Sequence, residues 1–323
     1  MVDNKRIEWI DMARGILFFF VIICHSRLAP LWLKFVYEPF FLTGFFFLSG
    51  FLYKQKELKE KFKSIFNGLL IPFILYSFTW GLISLAQTKQ VTIALSSVVD
   101  NLCGGDTIWF IPCLLLVEIL YVLLHAICRQ KIFVLALVLS IVGFYITTSL
   151  GISRGIWCWE TALLGLGFYA LGGGIGKKFI SKTVEGKRDI TISLAWIFAY
   201  IVLSLTLGYL GLLDNIDMHL NHYEYRMAFI CLATIGCYSF IRFVRLMPPC
   251  SFLEEFGKYT LFLFPFHGLI LRNVLKVSEK LGITSDGVQF VLSITITIII
   301  SFILARYVYK YMPALGGKKK WWK

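Results

Sequence analysis

The sequence predicts an all-α, polytopic membrane protein with about ten transmembrane helices, and three observations carry that prediction. Hydrophobic residues make up 58% of the 323 positions and charged residues only 16%, with a mean hydropathy of +0.75. A soluble domain of this length carries about a quarter charged residues and cannot hide so much apolar surface in one core. The apolar residues also fall into runs of about 20, the length that crosses a hydrocarbon layer of about 30 Å. Finally, the basic residues are segregated by loop, as the topology of a membrane chain requires.

The runs lie near 8–28, 35–53, 65–86, 108–127, 132–150, 156–176, 190–212, 226–241, 259–275 and 287–308. With the amino terminus in the cytoplasm, that side holds Lys5, Arg6, the lysines from Lys54 to Lys63, Arg129, Lys131, the basic residues from Lys177 to Arg188, Arg242, Arg245, Lys258 and the lysines from Lys310 to Lys323. The other side holds Arg27, Lys34, Lys89, Arg154, Arg226, Arg272, Lys276 and Lys280, so the division is 22 against 8. This bias predicts both termini in the cytoplasm and a location in the cell membrane, the cytoplasmic membrane of a bacterium. It also accounts for the net charge of +13 without nucleic acid as a partner. The first run follows an interrupted basic pair and no small-residue cleavage site, so it is expected to stay as a span. The whole chain, 1–323, reads as one integral-membrane domain with a short basic and aromatic tail at 316–323, suited to an anionic leaflet of the bilayer.

Residues 7–27, IEWIDMARGILFFFVIICHSR, are the most informative stretch. With Asp11 as zero and about 100° per residue, Arg14 falls at about 300° and His25 at about 320°, on one stripe with Phe18 and Ile22. Arg14 and His25 are separated by roughly 16 Å along the axis, so the stripe suits two ends of one extended ligand. Asp11 and Arg14 are also spaced as an ordinary i, i+3 pair. Within a membrane, however, ionisable side chains are costly and face a bundle interior or a water-filled cavity.

Further along, KQKELKEKFK reads as a cytoplasmic helix against headgroups, Pro72 as a kink in the third span, and the stretch up to Thr107 as an outside loop of about 20 residues. The fourth span contains Trp109 and Glu118; the carboxylate either lines a cavity or pairs with His125. The glycines of GLGFYALGGGIGKK serve close packing or an irregular turn. The outside loop LDNIDMHLNHYEYR holds His219 and His222, read as a water-facing loop that touches a sugar or, alternatively, as metal ligands. His267 in the ninth span either lines a chamber or packs between helices. The eight cysteines show no CxxC pair and read as small buried apolar residues, with no metal expected.

Several of these runs together resemble the membrane-bound acyltransferase 3 family, in particular its fucose 4-O-acetylase-like branch. The shared opening is an aspartate, a basic residue three later and a histidine eleven beyond that, here Asp11, Arg14 and His25. Further matches are FFFLSGF at 45–51, KEKFKSIFNGLLIPF at 59–73, IWFIPCLLLVEIL at 108–120 and GKYTLFLFPFHGLI at 257–270. Two departures stand out. Where many relatives carry His-Met-Pro, this chain has Phe41, Leu42 and Thr43, so a function tied to that histidine is absent or supplied elsewhere. The Arg-x-x-x-Trp element of some relatives is missing, which leaves the residues that meet the donor's nucleotide end unassigned.

The resemblance implies O-acyl transfer, usually of acetyl, from a cytoplasmic acyl-CoA (acetyl-CoA) to a hydroxyl of a cell-surface glycan or lipid-linked sugar. The stripe agrees: Arg14 sits where the donor arrives, and His25 is a neutral imidazole suited to remove the hydroxyl proton as the new bond forms. Direct transfer is the simplest route, with an acetyl-His25 intermediate as the two-step alternative. The other class considered is a transporter or flippase of a lipid-linked or amphiphilic substrate, which would show inverted repeats with paired broken helices; the sequence has neither. If Arg14 holds the donor, Arg14→Ala weakens acetyl-CoA binding by about 1.5–3 kcal/mol in calorimetry, and Arg14→Lys restores only part of it. If Arg14 only pairs with Asp11, both single alanine variants lower the melting temperature instead and the double variant partly recovers.

Overall fold

A computed structural model of the chain describes residues 7–105, 107–129, 131–176, 186–317, 321 and 322. Among them there is no strand, and one isolated antiparallel bridge joins Asp217 to His222. Each apolar run forms helix. The first is α1 (Glu8–Cys24). The second is divided at Pro39, which has no N–H to give to the preceding turn, into α2 (Leu31–Tyr37) and α3 (Phe41–Phe51). The third comprises α4 (Leu58–Ile65), a π-helical turn (Phe66–Leu70) and α5 (Ile71–Thr88). There follow α6 (Val91–Leu102), α7 (Phe110–Ile127), α8 (Ile132–Ser149) and α9 (Trp159–Leu171), which runs on as a π-helical turn (Gly172–Gly176). The remainder is α10 (Lys187–Tyr209), α11 (Arg226–Val244), the short α12 (Ser251–Lys258), α13 (Thr260–Lys280) and α14 (Asp286–Tyr311).

Among the described residues, eight helices are long and apolar enough to cross a membrane. The first and sixth runs give shorter helices, α1 of 17 residues and α9 of 13. Both lie inside the bundle, α9 with ten of its residues buried, and a helix enclosed by protein need not match the lipid thickness. The outer helices show the reverse pattern. Val134, Val138, Ile141, Phe198, Val202, Ile299 and Ile303 on α8, α10 and α14 are all exposed, which is the apolar belt that lipid covers.

Three sequence expectations change. The stretch before Thr107 is not all loop: α6 folds back along α5, with Ala94 and Val98 packed on Gly81, and its β-branched and polar residues hid the helical period. The charged run after residue 54 is helical from Leu58, but it continues through the π turn into α5 rather than standing alone. Pro72 cannot donate to the carbonyl of Gly68, and the helix widens there. Of the cysteines, only Cys113, Cys158 and Cys237 are buried; Cys103 and Cys231 are exposed, Cys231 on an outward helix face where lipid is as apolar as the interior. All eight are free thiols.

A few of the residues assigned to the cytoplasmic side meet one another. Trp9 meets Phe51 with ring centroids 5.3 Å apart, and Arg245 lies over Trp9 at 5.9 Å. The tail folds back onto the π turn: Trp321 and Trp322 donate backbone N–H to Asn67 Oδ1 at 2.7 and 3.0 Å, and Trp322 packs on Phe66. Lys5, Arg6, the cluster at 177–185, Lys318, Lys319, Lys320 and Lys323 lie outside the described residues.

Two close helix contacts set the centre. Gly50 and Gly172 let α3 and the end of α9 touch backbone to backbone, which assigns the glycine run to packing. Gly15 and Gly257 do the same for α1 and α12: a Cβ on Gly257 would run into the Asp11 carbonyl, and one on Gly15 into the Leu253 carbonyl. Gly257→Ala should therefore lower stability by about 1–3 kcal/mol. A fall in melting temperature without loss of helical circular dichroism is the expected reading.

Candidate active site

His25 follows the last turn of α1, and the turn through Ser26 and Pro30 leaves its ring at the end of the helix, partly exposed. His25 Nδ1 lies 2.8 Å from the Val21 carbonyl oxygen and 3.3 Å from His267 Nε2. On α13, His267 Nδ1 lies 2.8 Å from the Phe264 carbonyl and 3.2 Å from that of Leu263. A carbonyl only accepts, so both rings are assigned the Nδ1–H tautomer. His25 Nδ1–H then divides between Val21 and His267 Nε2, and the His25 Nε2 lone pair is left for chemistry. The rings are nearly perpendicular, at 83° with centroids 4.6 Å apart, and Phe18 packs edge-on to His267 at 5.4 Å.

Both histidines line a cavity of about 270 Å³. Its walls come from four further segments. Glu38 follows the end of α2, α3 supplies Phe41 and Leu42, the approach to α7 gives Thr107, Ile108 and Trp109, and the loop between α10 and α11 brings Ile216, Asp217, Met218 and His219. That loop is a built element. Asp217 and His222 pair backbone to backbone, Leu220 N–H donates to Asp217 Oδ1 at 3.0 Å, and Thr161 donates to the Met218 carbonyl at 2.6 Å. Asn221, left-handed at φ 50°, donates to Thr147 Oγ1 and the Ile152 carbonyl. The loop is thereby clamped on α8 and α9, and His219 is held against Trp109 with ring centroids 5.2 Å apart.

Arg14 opens into a second cavity of about 190 Å³, with Ser49, Leu69, Leu114 and Thr260. The two cavities share Phe110 and Phe264, whose rings stack at 4.6 Å and 13°. Phe45 stands edge-on to both, at 5.7 and 5.1 Å, and Phe18 edge-on to Phe264 at 5.1 Å. An aromatic wall thus stands between Arg14 and His25.

The sequence-derived candidates are distributed accordingly. His25, His267 and Trp109 meet in the first cavity and Arg14 lies beyond the wall. Asp11 is 3% exposed and lines neither cavity; it belongs to the contact of α1 with α12. Glu118 also lines neither, and faces the cations Lys61 and Arg14. His125 lies elsewhere, its ring 5.8 Å from that of Tyr53. His222 pairs with Asp217 through its backbone, is exposed and lines no cavity described above, while His219 reaches the first cavity. Sequence reasoning missed Glu38 and gave Asp217 no role of its own. Glu38 was detectable by the rule applied to Glu118, a carboxylate embedded in an aromatic run, here Tyr37-Glu38-Pro39-Phe40.

The arrangement is a histidine with a free ring nitrogen, oriented by a second histidine, facing a pocket with two carboxylates and an indole. The family model of the acyltransferase 3 family, described as an acyltransferase domain, matches residues 7–306. The chain belongs to that family and is a multi-pass membrane acyltransferase, which removes the support for a transporter. No curated protein and no solved structure gave a match.

If the wall is what divides the two cavities, Phe110→Ala joins them. A structure of the variant should show one continuous space from Arg14 to His25, and denaturation should register a loss of about 3–5 kcal/mol for the emptied ring volume.

Proposed function

We propose that the chain transfers an acetyl (acyl) group from acyl-CoA, arriving on the cytoplasmic side where both termini lie, to a hydroxyl of a cell-surface glycan or lipid-linked sugar. The observation that carries this reading is the His25–His267 pair at the wall between two cavities, one holding Arg14 and the other open to Glu38, Trp109 and Asp217. Two substrates that must meet only at the reacting atoms suit two such spaces.

The acceptor occupies the first cavity. Trp109 offers an aromatic face to the sugar ring, and the Glu38 and Asp217 carboxylates accept from its hydroxyls. The donor arm passes Arg14 and brings its thioester carbonyl to the wall. His25 Nε2 takes the proton of the attacking hydroxyl while the oxygen forms its bond to the carbonyl carbon. The C–S bond then breaks, and the CoA thiolate leaves with the proton returned from His25. His267 acts through His25: its Nε2 accepts from His25 Nδ1–H, holds the tautomer with Nε2 free, and faces the positive charge that develops on the imidazole.

Incubation of the purified protein with acetyl-CoA labelled in the acetyl group and a glycan acceptor tests the proposal. Label should appear in the glycan. His25→Ala should lower that rate by about 10²- to 10⁴-fold with the melting temperature nearly unchanged. His267→Gln, whose amide oxygen can still accept from Nδ1–H, should retain more activity than His267→Phe. Equal losses in those two would remove the positioning role, and unlabelled glycan with the wild-type protein would refute acyl transfer from CoA.

A further inference from the structure

A third cavity, of about 220 Å³, lies near the cytoplasm-assigned end of α7 and takes no part in the chemistry above. It is lined by Tyr53, Lys56, Lys61, His125 and Arg129, with Gln55 between them, and no acidic side chain lines it among the described residues. Two of the three cations are held by the site. Lys61 Nζ sits 3.8 Å over the Tyr53 ring, and with the Gln55 amide oxygen turned toward Arg129 it accepts from the guanidinium Nε at 2.9 Å. Tyr53 itself is 8% exposed. A concave site with three permanent cations and an imidazole is built for phosphate, and an Arg and a Lys together offer the planar fork and the point charge that phosphates take.

Its position is what turns phosphate chemistry into a ligand. α7 and its approach line all three cavities in order: Ile108, Trp109 and Phe110 the first, Phe110 and Leu114 the second, His125 and Arg129 the third. Glu118, between the last two, faces one cation from each, Arg14 and Lys61. At about 1.5 Å per residue, Trp109 and His125 are about 24 Å apart along the helix. An anionic head in the third cavity therefore lies one extended arm away from the histidines, with Arg14 on the way.

We propose that the Lys61–Arg129 cavity binds the phosphates of the donor, so that Arg14 meets the amide-bearing arm instead. This rests on the acyl-CoA reading above. It assigns the nucleotide end, which the missing Arg-x-x-x-Trp element left without residues. The same phosphate chemistry is offered by anionic lipid headgroups, and the test separates the two sources.

The full chain in phosphatidylcholine nanodiscs is titrated calorimetrically with adenosine 3′,5′-bisphosphate, CoA and pantetheine. Lys61→Ala and Arg129→Ala should each weaken the bisphosphate and CoA by about tenfold, one charge-assisted contact, and leave pantetheine unchanged. Lys61→Arg, which keeps the charge, should retain most of the bisphosphate affinity, and serves if an alanine variant does not fold. Bisphosphate affinity unchanged in both alanine variants overturns the proposal. So does loss of bisphosphate binding in the wild type when phosphatidylglycerol is added to the nanodiscs, which marks a headgroup site. Because the bisphosphate titration reads the cavity directly, a failure of label transfer to glycan would count against the acyl-transfer reading and not against this site.

Discussion

The pairing of His25 with His267 depends on how closely α1 can approach α12 and α13. Gly15 and Gly257 remove the side chains that would hold those helices apart, and only then does a histidine at the end of α1 reach a histidine in the middle of α13. Lipid supplies no hydrophobic force to press helices together, so packing of this kind carries the association. An imidazole in such a place needs a polar partner, and each ring takes a carbonyl of its own helix, Val21 or Phe264, before it turns to the other.

The rest of the site is a set of attachments to that pair. Phe18 and Phe264, one from each helix, meet beside the histidines and extend into the wall with Phe45 and Phe110. The loop between α10 and α11 closes the other side, but its position is set by α8 and α9 through Asn221 and Thr161. Helices remote from His25 in sequence thereby determine where His219 and Asp217 stand. α1 and α13 hold the histidine pair, while the residue after α2 and the loop clamped on α8 and α9 bring the carboxylates that face it.

The class of fold was legible because it is written in composition and run length, which need no contact information. The α1 stripe was legible too, since a helix of known rise and twist places Asp11, Arg14, Phe18 and His25 relative to one another. It could not tell which neighbour each would meet. Asp11 came to lie at the contact with α12, Arg14 at one cavity and His25 at another, although all three share a face. His267 and Trp109 were visible as polar or amphipathic groups in apolar runs, yet their meeting with His25 joins positions 242 residues apart for His267, and no periodicity encodes that. α6 was hidden for a different reason: its residues are poor helix formers, and the contact with Gly81 holds what local propensity does not.

The aromatic wall has a consequence for the membrane as an insulator. A potential of 100 mV acts on each elementary charge with about 2.3 kcal/mol, so a line of polar groups across a membrane needs an apolar barrier somewhere along it. The rings of Phe18, Phe45, Phe110 and Phe264 are such a barrier between Arg14 and His25. A stack of hydrocarbon rings is a poor path for protons and ions, so the wall insulates one cavity from the other. On the acyl-CoA reading proposed above, the donor arm parts these rings and, filling the opening it makes, is itself the stopper.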